Sequence, residues 1–280
     1  YQYHVFVWAA FFFLYCLLGW IWESAYVSVR KHRWVNRGFL NGPFLPIYGC
    51  GAILVLFVTK PVWDNWVLVF LLGMCAATVL ELVTGYVMEQ IFQVKYWDYS
   101  KNRFNLGGYI CLGCSLGWGV FSVFLVKVIH RPLERLVFAV PESVLTAADT
   151  ALFLYFIWDV AYSAAEALSL RDVLREKVLA NEELQRLQRR LDELVRGSGL
   201  ENLQEELHRK VESYREEKSE EIARVRQEIE QQRHIFEEHL GKRQRHALRI
   251  LKRNPGSISR RHKLAFEQIR EYLEDNRKNM

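Results

Sequence analysis

The chain has 280 residues, of which 51% are hydrophobic and 25% charged, and its formal net charge is +5. Its lysines and arginines alternate with acidic residues instead of forming one basic face, so the composition excludes a typical nucleic-acid-binding protein. The mean hydropathy of -0.05 is that of a soluble protein, but it averages two unlike parts.

All nine tryptophans lie before about residue 170, and charged residues and glutamines dominate after it. We therefore predict an all-α protein, with a transmembrane domain over residues 1–168 and a cytoplasmic helical domain over residues 169–280. The first domain is predicted to be a polytopic helical bundle of four to five spans, and the second a coiled coil or helical hairpin.

Long apolar runs mark three of the spans. The first covers residues 4–29, the third residues 67–92 and the fourth residues 107–128. The first run exceeds the apolar core of a signal peptide, so we expect it to remain as a span. Small residues at the start of the fourth run predict close packing against a neighbouring helix.

The second span begins in an unusual stretch, residues 36–52, with the sequence NRGFLNGPFLPIYGCGA. Its two prolines and four glycines interrupt a regular helix. A re-entrant or unwound entry is one reading, because broken backbone at membrane depth requires protein or water to satisfy it. A loop followed by an ordinary helix over residues 46–58 is the other.

A fifth span over residues 141–168 is less regular, since it includes Asp149 and Asp159. A membrane-surface or re-entrant helix is the alternative there. Helix parity places the unusual motifs at one end of the bundle, together with most loop lysines and arginines. The positive-inside rule makes that end cytoplasmic.

Acidic residues within the apolar runs are the first candidates for function. Glu23, Glu81 and Glu89 would be costly in a bilayer without partners, and Arg37, beside the glycine- and proline-rich stretch, is a candidate partner for one of them. Such a polar centre suits an anionic headgroup or a small cation. An internal salt bridge that only stabilises the bundle is the alternative, and Glu23 alone could be an interfacial residue.

Five cysteines, an odd number, lie in the first part: Cys16, Cys50, Cys75, Cys111 and Cys114. Their number and their place within predicted spans argue against a disulfide framework and favour small buried apolar side chains. Cys111 and Cys114 form a C-x-x-C pair without a nearby histidine, which leaves a metal or redox role as the alternative.

After residue 170, leucines and other apolar residues recur at alternating intervals of three and four. This seam predicts a coiled coil or long hairpin that mediates association, broken near residues 197–199 and 254–257. The charges beside it are expected to be solvated. The predicted association residues are Leu184, Leu187, Leu191, Leu194, Leu203, Leu207, Val211, Ile222, Val225 and Ile229.

The sequence contains no phosphate-binding Walker loop, no nucleophile elbow and no H-E-x-x-H motif. We therefore expect no enzyme activity, no cofactor and no metal site. A lipid-modifying activity that uses the same carboxylates stays open.

The segments RGFLNGPFLPIYGCGA, ELVTGYVMEQIF and WDYSKNRFNLGGYICLGCSLGWG together resemble the bacterial ABC-transporter type IV family of permease-like membrane proteins, over roughly residues 11–129. The resemblance implies a transporter subunit, and the C-terminal helical domain lies outside it. Counting both the motif residues and the polar residues beside them, the candidate substrate- or ion-binding residues are Glu23, Arg37, Asn41, Gly42, Pro43, Pro46, Tyr48, Glu81, Thr84, Glu89, Trp97, Asp98, Tyr99, Ser100 and Asn105.

Two functions follow from these observations. The first is a permease-like transport subunit in the cell membrane, driven by a separate ATPase subunit or by a gradient. The second is a membrane-anchored scaffold or signalling protein, whose C-terminal domain recruits a partner or drives oligomerisation. In either case we expect contact with membrane lipid and a homo-oligomer, with a dimer favoured.

Overall fold

Helices form nearly all of the regular structure in the computed structural model, which describes residues 3–197, 223–224, 227, 249–267 and 269–270. The helices are α1 (Val5–Lys31), α2 (Pro46–Thr59), α3 (Trp66–Phe92), α4 (Leu112–Phe124), α5 (His130–Phe138) and α6 (Glu142–Gly197). A 3-10 turn (Lys60–Val62) follows α2, and a π-helical turn (Leu125–Ile129) joins α4 to α5. Within the described residues, the strands are β1 (Asn105–Leu106) and β2 (Ile110–Cys111), which pair antiparallel. The all-α prediction is confirmed.

Four helical stretches among the described residues are long and apolar enough to cross a membrane, and they agree with the predicted multi-pass bundle. They are Val5–Lys31, Trp66–Phe92, Leu112–Phe138 and Glu142–Arg175. Pro46–Val62 is also apolar but shorter. At 1.5 Å per residue, α2 alone is ~21 Å long, less than the roughly 30 Å of a bilayer's hydrocarbon core.

The start of α2 matches one of the two predicted alternatives, a loop followed by an ordinary helix. Residues 33–45 are irregular, and Pro46 occupies the first turn, where its missing N–H leaves no hydrogen bond unmade. The fourth predicted span begins five residues later than expected, at Leu112. Gly107 and Gly108, with φ of 58° and 70°, instead close the hairpin between β1 and β2.

The chain divides into two compact units. One comprises Tyr1–Leu168 with Leu248–Lys263, and the other comprises Ser169–Ala247 with Leu264–Met280. The predicted division at residue 168 assigned all later residues to the second domain, whereas the structure groups residues 248–263 with the first unit. Polar contacts account for this grouping. Arg253 and Asn254 are 7% and 2% exposed, and they hydrogen-bond to Glu166 and to the Gly38 carbonyl of the first unit.

Each unit has its own buried apolar residues. In the first unit, a core of residues from α1, α2, α3, the π-helical turn and α5 includes Phe11, Leu56 and Val69. A second cluster joins Phe13 and Cys16 of α1 to the loop before α2. In the second unit, the buried residues include Leu170, Val173, Leu174, Ala265, Phe266 and Ile269.

The predicted association seam is only partly described. Leu184, Leu187, Leu191 and Leu194 lie on α6. The other seam residues, Leu203, Leu207, Val211, Ile222, Val225 and Ile229, lie outside the described residues. Association through this seam stays a prediction.

Close helix packing depends on Gly49, where α1 approaches α2. A Cβ at Gly49 would overlap the Cys16 sulfur and the ring and backbone carbonyl of Phe12. We expect Gly49→Ala to destabilise the bundle by roughly 1–3 kcal/mol, because a backbone oxygen cannot move aside as a flexible side chain can. Thermal unfolding of the purified protein in detergent measures this effect.

Gly117→Ala in α4 is the matched control, because nothing lies within 4 Å of a Cβ at Gly117 or at Gly113. The predicted close packing of these two glycines is therefore wrong, although Gly119 does meet Phe70. Alanine favours a helix over glycine by about 1 kcal/mol, so Gly117→Ala should be neutral or stabilising. Equal stabilities of the two variants would contradict the packing argument.

Candidate functional site

Glu81 lies at the centre of the candidate site, on the face of α3 that points into the bundle, and is 5% exposed. Its Oε1 accepts a hydrogen bond from the Tyr99 hydroxyl at 3.2 Å, and its Oε2 accepts one from the Trp118 indole at 2.9 Å. No lysine, arginine or histidine of the described residues lies within 4.0 Å of this carboxylate. Two neutral donors therefore hold Glu81 without a cationic partner.

A second carboxylate, Glu23 of α1, continues this polar centre. Its Oε1 accepts a hydrogen bond from Tyr48 at 2.8 Å, and its Oε2 lies 3.8 Å from Nε of Arg37. The Tyr48 ring is 5.5 Å from the ring of Trp118, which binds Glu81. The structure thus brings Glu23, Arg37, Tyr48 and Glu81 into one continuous group.

A cavity of about 10 Å³ adjoins Glu81 between α2, α3 and α4. That volume is about enough for one water molecule. Its walls include Tyr48, Glu81, Trp118 and Ser122, and its other lining residues are apolar apart from Gly51. So few oxygen atoms do not match the six or more that Mg²⁺ or Ca²⁺ requires.

Glu89 belongs to a separate cluster at the end of α3. It accepts a hydrogen bond from the Tyr109 hydroxyl at 2.7 Å and pairs with Lys95 at 3.7 Å. The Lys95 ammonium also donates to the Gly107 carbonyl and lies 3.8 Å from the centre of the Tyr109 ring. Burial lowers the pKa of Lys95, with Glu89 opposing this effect and Arg260 adding to it. Burial and the bond to Glu89 raise the pKa of Tyr109 to about 12.

The segment after α3 contributes only Tyr99 to the Glu81 centre. Trp97 donates to the Tyr109 carbonyl at 2.9 Å. Asp98 accepts from the hydroxyl and the backbone N–H of Ser100, and Asn105 donates to the Ser100 carbonyl. These side chains stabilise the loop itself.

The glycine- and proline-rich loop before α2 is held by α6. The two oxygens of Asp159 accept the backbone N–H groups of Asn41 and Gly42 at 3.0 and 2.8 Å. Ser163 and Glu166 accept the Asn41 side-chain amide. Spacings of four and three place Asp159, Ser163 and Glu166 on one helix face. This spacing is visible in the sequence and indicates a polar face on α6, whereas hydropathy alone marks Asp159 only as an irregularity of the fifth span.

Residues 249–262, here called the docking segment, contact the same end of the bundle. Arg253 donates to Glu166 at 2.6 Å, and Asn254 accepts from Arg37 at 2.7 Å. The backbones of Ile258 and Lys95 exchange two hydrogen bonds. Charged side chains in this part of the chain were expected to be solvated. That expectation is wrong for Arg253, because its side chain is buried and bonded to Glu166.

The remaining candidates shape the backbone around the centre. Thr84 lies half-buried on α3 three residues after Glu81, Pro43 lies half-buried in the loop, and Pro46 starts α2. Within the described part of the chain, no group of three or more histidine, cysteine, aspartate or glutamate residues could hold a metal ion.

Comparison with known proteins gives one family. Residues 10–164, more than half of the chain, match the family model described as Putative ABC-transporter type IV. Comparison with curated proteins gave no match, and comparison with solved structures gave none. The docking segment lies outside the matched residues.

Proposed function

Because the chain belongs to the Putative ABC-transporter type IV family, we propose that it is a permease-like transport subunit whose Glu81 carboxylate carries a proton. The family and the four apolar helices make it a transport-related membrane protein. The observation that carries the finer proposal is the burial of Glu81 without a cationic partner among the described residues.

A proton suits this position better than a metal ion. A carboxylate at membrane depth is costly when charged and unpaired, so it gains from taking up a proton when no cation is near. The cavity beside it holds about one water, which suffices to exchange a proton but not to hydrate a larger ion. Tyr99 and Trp118 keep the carboxylate in place in either state.

The end of the bundle that carries Glu23, Arg37 and the docking segment has most of the loop lysines and arginines. By the positive-inside rule, this supports a cytoplasmic location for that end. On this proposal the C-terminal domain is cytoplasmic too. A separate ATPase subunit or a gradient would supply energy, and a homodimer through the α6 seam is the proposed assembly.

Glu81→Gln tests the proposal in liposomes that contain a trapped pH indicator. A potassium diffusion potential drives protons inward, and the initial rate of acidification is measured. We expect the wild-type rate to exceed that of empty liposomes, and Glu81→Gln to lower the protein-dependent rate at least about tenfold, or ~1.4 kcal/mol on the barrier. Size-exclusion chromatography verifies that the variant inserts and folds normally.

The control is Asp149→Asn, which changes another buried carboxylate, 5% exposed, on α6. It should leave the rate unchanged, because Asp149 lies outside the Glu81 centre. Labelling with a hydrophobic carbodiimide, which modifies protonated carboxyl groups, should mark Glu81 in the wild type. A normal rate in Glu81→Gln would contradict the proposal.

The scaffold function stays as the second candidate, since Arg253 and Asn254 of the docking segment bond to Glu166 of α6 and to Arg37 of the loop before α2. Its test is a deletion confined to residues 198–245, which spares the docking segment. Loss of function there with normal proton movement would favour the scaffold.

A further inference from the structure

The C-x-x-C pair lies at the start of α4, between the hairpin and the Glu81 centre. Cys111 precedes the first turn of the helix, and its sulfur accepts the backbone N–H of Cys114. Both cysteines are free thiols, and their sulfur atoms are 3.1 Å apart. The local fold of this turn therefore holds two thiols in contact.

Hydrogen bonds surround the sulfur of Cys111. The Asn102 side-chain amide lies 3.4 Å from it, in addition to the two contacts from Cys114. Burial alone would raise the pKa of Cys111, but these hydrogen bonds outweigh it and leave that pKa below its ordinary value. A thiolate is the nucleophilic form of cysteine, and helix N-termini favour it.

The two thiols differ in exposure. Cys111 is 3% exposed, whereas Cys114 is half-buried. An external reagent therefore meets Cys114 first, and Cys111 is placed to react in a second, intramolecular step.

We propose that Cys111 and Cys114 are a redox-active dithiol that small-molecule disulfides oxidise to an intramolecular disulfide. In the first step the Cys111 thiolate accepts the Cys114 proton across their 3.1 Å contact, and the Cys114 sulfur attacks one sulfur of the reagent. The S–S bond of the reagent breaks, and the released thiolate takes up the proton that Cys111 gave up on ionising. In the second step the Cys111 sulfur attacks the Cys114 sulfur of this mixed disulfide. The second reagent thiolate leaves and takes the Cys111 proton, so the protein loses two electrons and two protons and the reagent becomes two thiols.

Tyr99 connects this dithiol to the Glu81 centre. Its hydroxyl donates a hydrogen bond to Glu81 at 3.2 Å and interacts electrostatically with the Cys114 thiol. Oxidation removes the thiol proton of Cys114 and so changes one of the two contacts that position Tyr99. This second step rests on the proposed function of Glu81, and the dithiol chemistry itself does not.

The full-length protein in lipid nanodiscs is equilibrated with defined mixtures of reduced and oxidised glutathione, alkylated with N-ethylmaleimide and analysed by peptide mass spectrometry. We expect a reversible loss of both alkylations on the peptide that contains Cys111 and Cys114, while Cys75, exposed on α3, stays alkylated as an internal control. Neither single variant has a second thiol to resolve a mixed disulfide, so each can retain bound glutathione. The amount on Cys114 in Cys111→Ser should exceed the amount on Cys111 in Cys114→Ser at least about tenfold, because Cys114 is the accessible thiol. Full alkylation of both cysteines in every mixture, or disulfides between two molecules, would overturn the proposal.

Proton uptake into liposomes is then compared between oxidised and reduced protein. A change in rate of at least about threefold that Tyr99→Phe abolishes would establish the connection to Glu81. If the disulfide forms and the rate stays constant, the connection is wrong and the dithiol stands. If the wild type moves no protons at all, the proposed function of Glu81 fails, while the alkylation result still decides the dithiol.

Discussion

Replacing Arg253 with methionine will lower the free energy of unfolding of the first unit by about 3–5 kcal/mol. Arg253 donates to the Glu166 carboxylate at 2.6 Å, and their side chains are 8% and 1% exposed. Burial lowers the pKa of Arg253, while Glu166 favours its charged form. Removing the arginine leaves a buried carboxylate with much of its charge uncompensated, and that residual charge is the source of the loss.

Thermal unfolding in detergent, followed by fluorescence size-exclusion chromatography, should show a fall in Tm on the order of 10 °C. Arg249→Met is the matched control, because Arg249 contacts the other oxygen of Glu166 at 3.2 Å but is 51% exposed. An exposed pair contributes at most about 1 kcal/mol. The double variant Arg253→Met with Glu166→Met should recover much of the loss, since it removes both members of the buried pair. Equal effects of Arg253→Met and Arg249→Met would contradict this account.

The long apolar helices were predictable because composition alone determines them. The first and third spans, predicted over residues 4–29 and 67–92, form α1 (Val5–Lys31) and α3 (Trp66–Phe92). Pro46 correctly marked the start of α2, because a proline is favoured in a first helical turn and disfavoured inside a helix. In these elements the local signal and the tertiary structure agree.

The start of the fourth span was wrong for a local reason. Gly107 and Gly108, before an apolar run, were predicted to begin the fourth helix, although a glycine pair between strand-forming residues is also a hairpin signal. Gly107 and Gly108 adopt positive φ, which glycine tolerates and which ends a regular helix. The helix therefore starts only after Cys111.

The polar partners across the bundle were not predictable from periodicity. Arg253 and Glu166 are 87 positions apart, and Arg37 and Asn254 are 217 apart. Lys95 was counted among the loop charges, yet it is 2% exposed and bonded to Gly107 and Glu89. A hydropathy pattern gives the face of a helix on which a charge lies, but not the distant residue that compensates it.

Replacing Asp159 with alanine is the second change with a large expected effect, about 2–5 kcal/mol. The Asp159 side chain is fully buried and accepts the backbone N–H groups of Asn41 and Gly42. Alanine leaves the buried Gly42 N–H without an acceptor, and the Asn41 N–H keeps only its 3.2 Å contact with the Ser163 hydroxyl. The effect should be larger than that of a typical core methyl group, because an unpaired buried N–H contributes its full desolvation penalty.

Two measurements follow the Asp159→Ala change. Thermal unfolding should show the lower stability, and trypsin should cleave faster after Arg37, whose side chain is 17% exposed in the wild type, because the loop before α2 loses its contacts with α6. Asp172→Ala is the control on the same helix, since that carboxylate is 49% exposed and pairs with its neighbour Arg171. If Asp159→Ala unfolds and is cleaved as the wild type does, α6 does not hold the loop, and the position of Tyr48 beside Glu23 must depend on the α1–α2 contact alone.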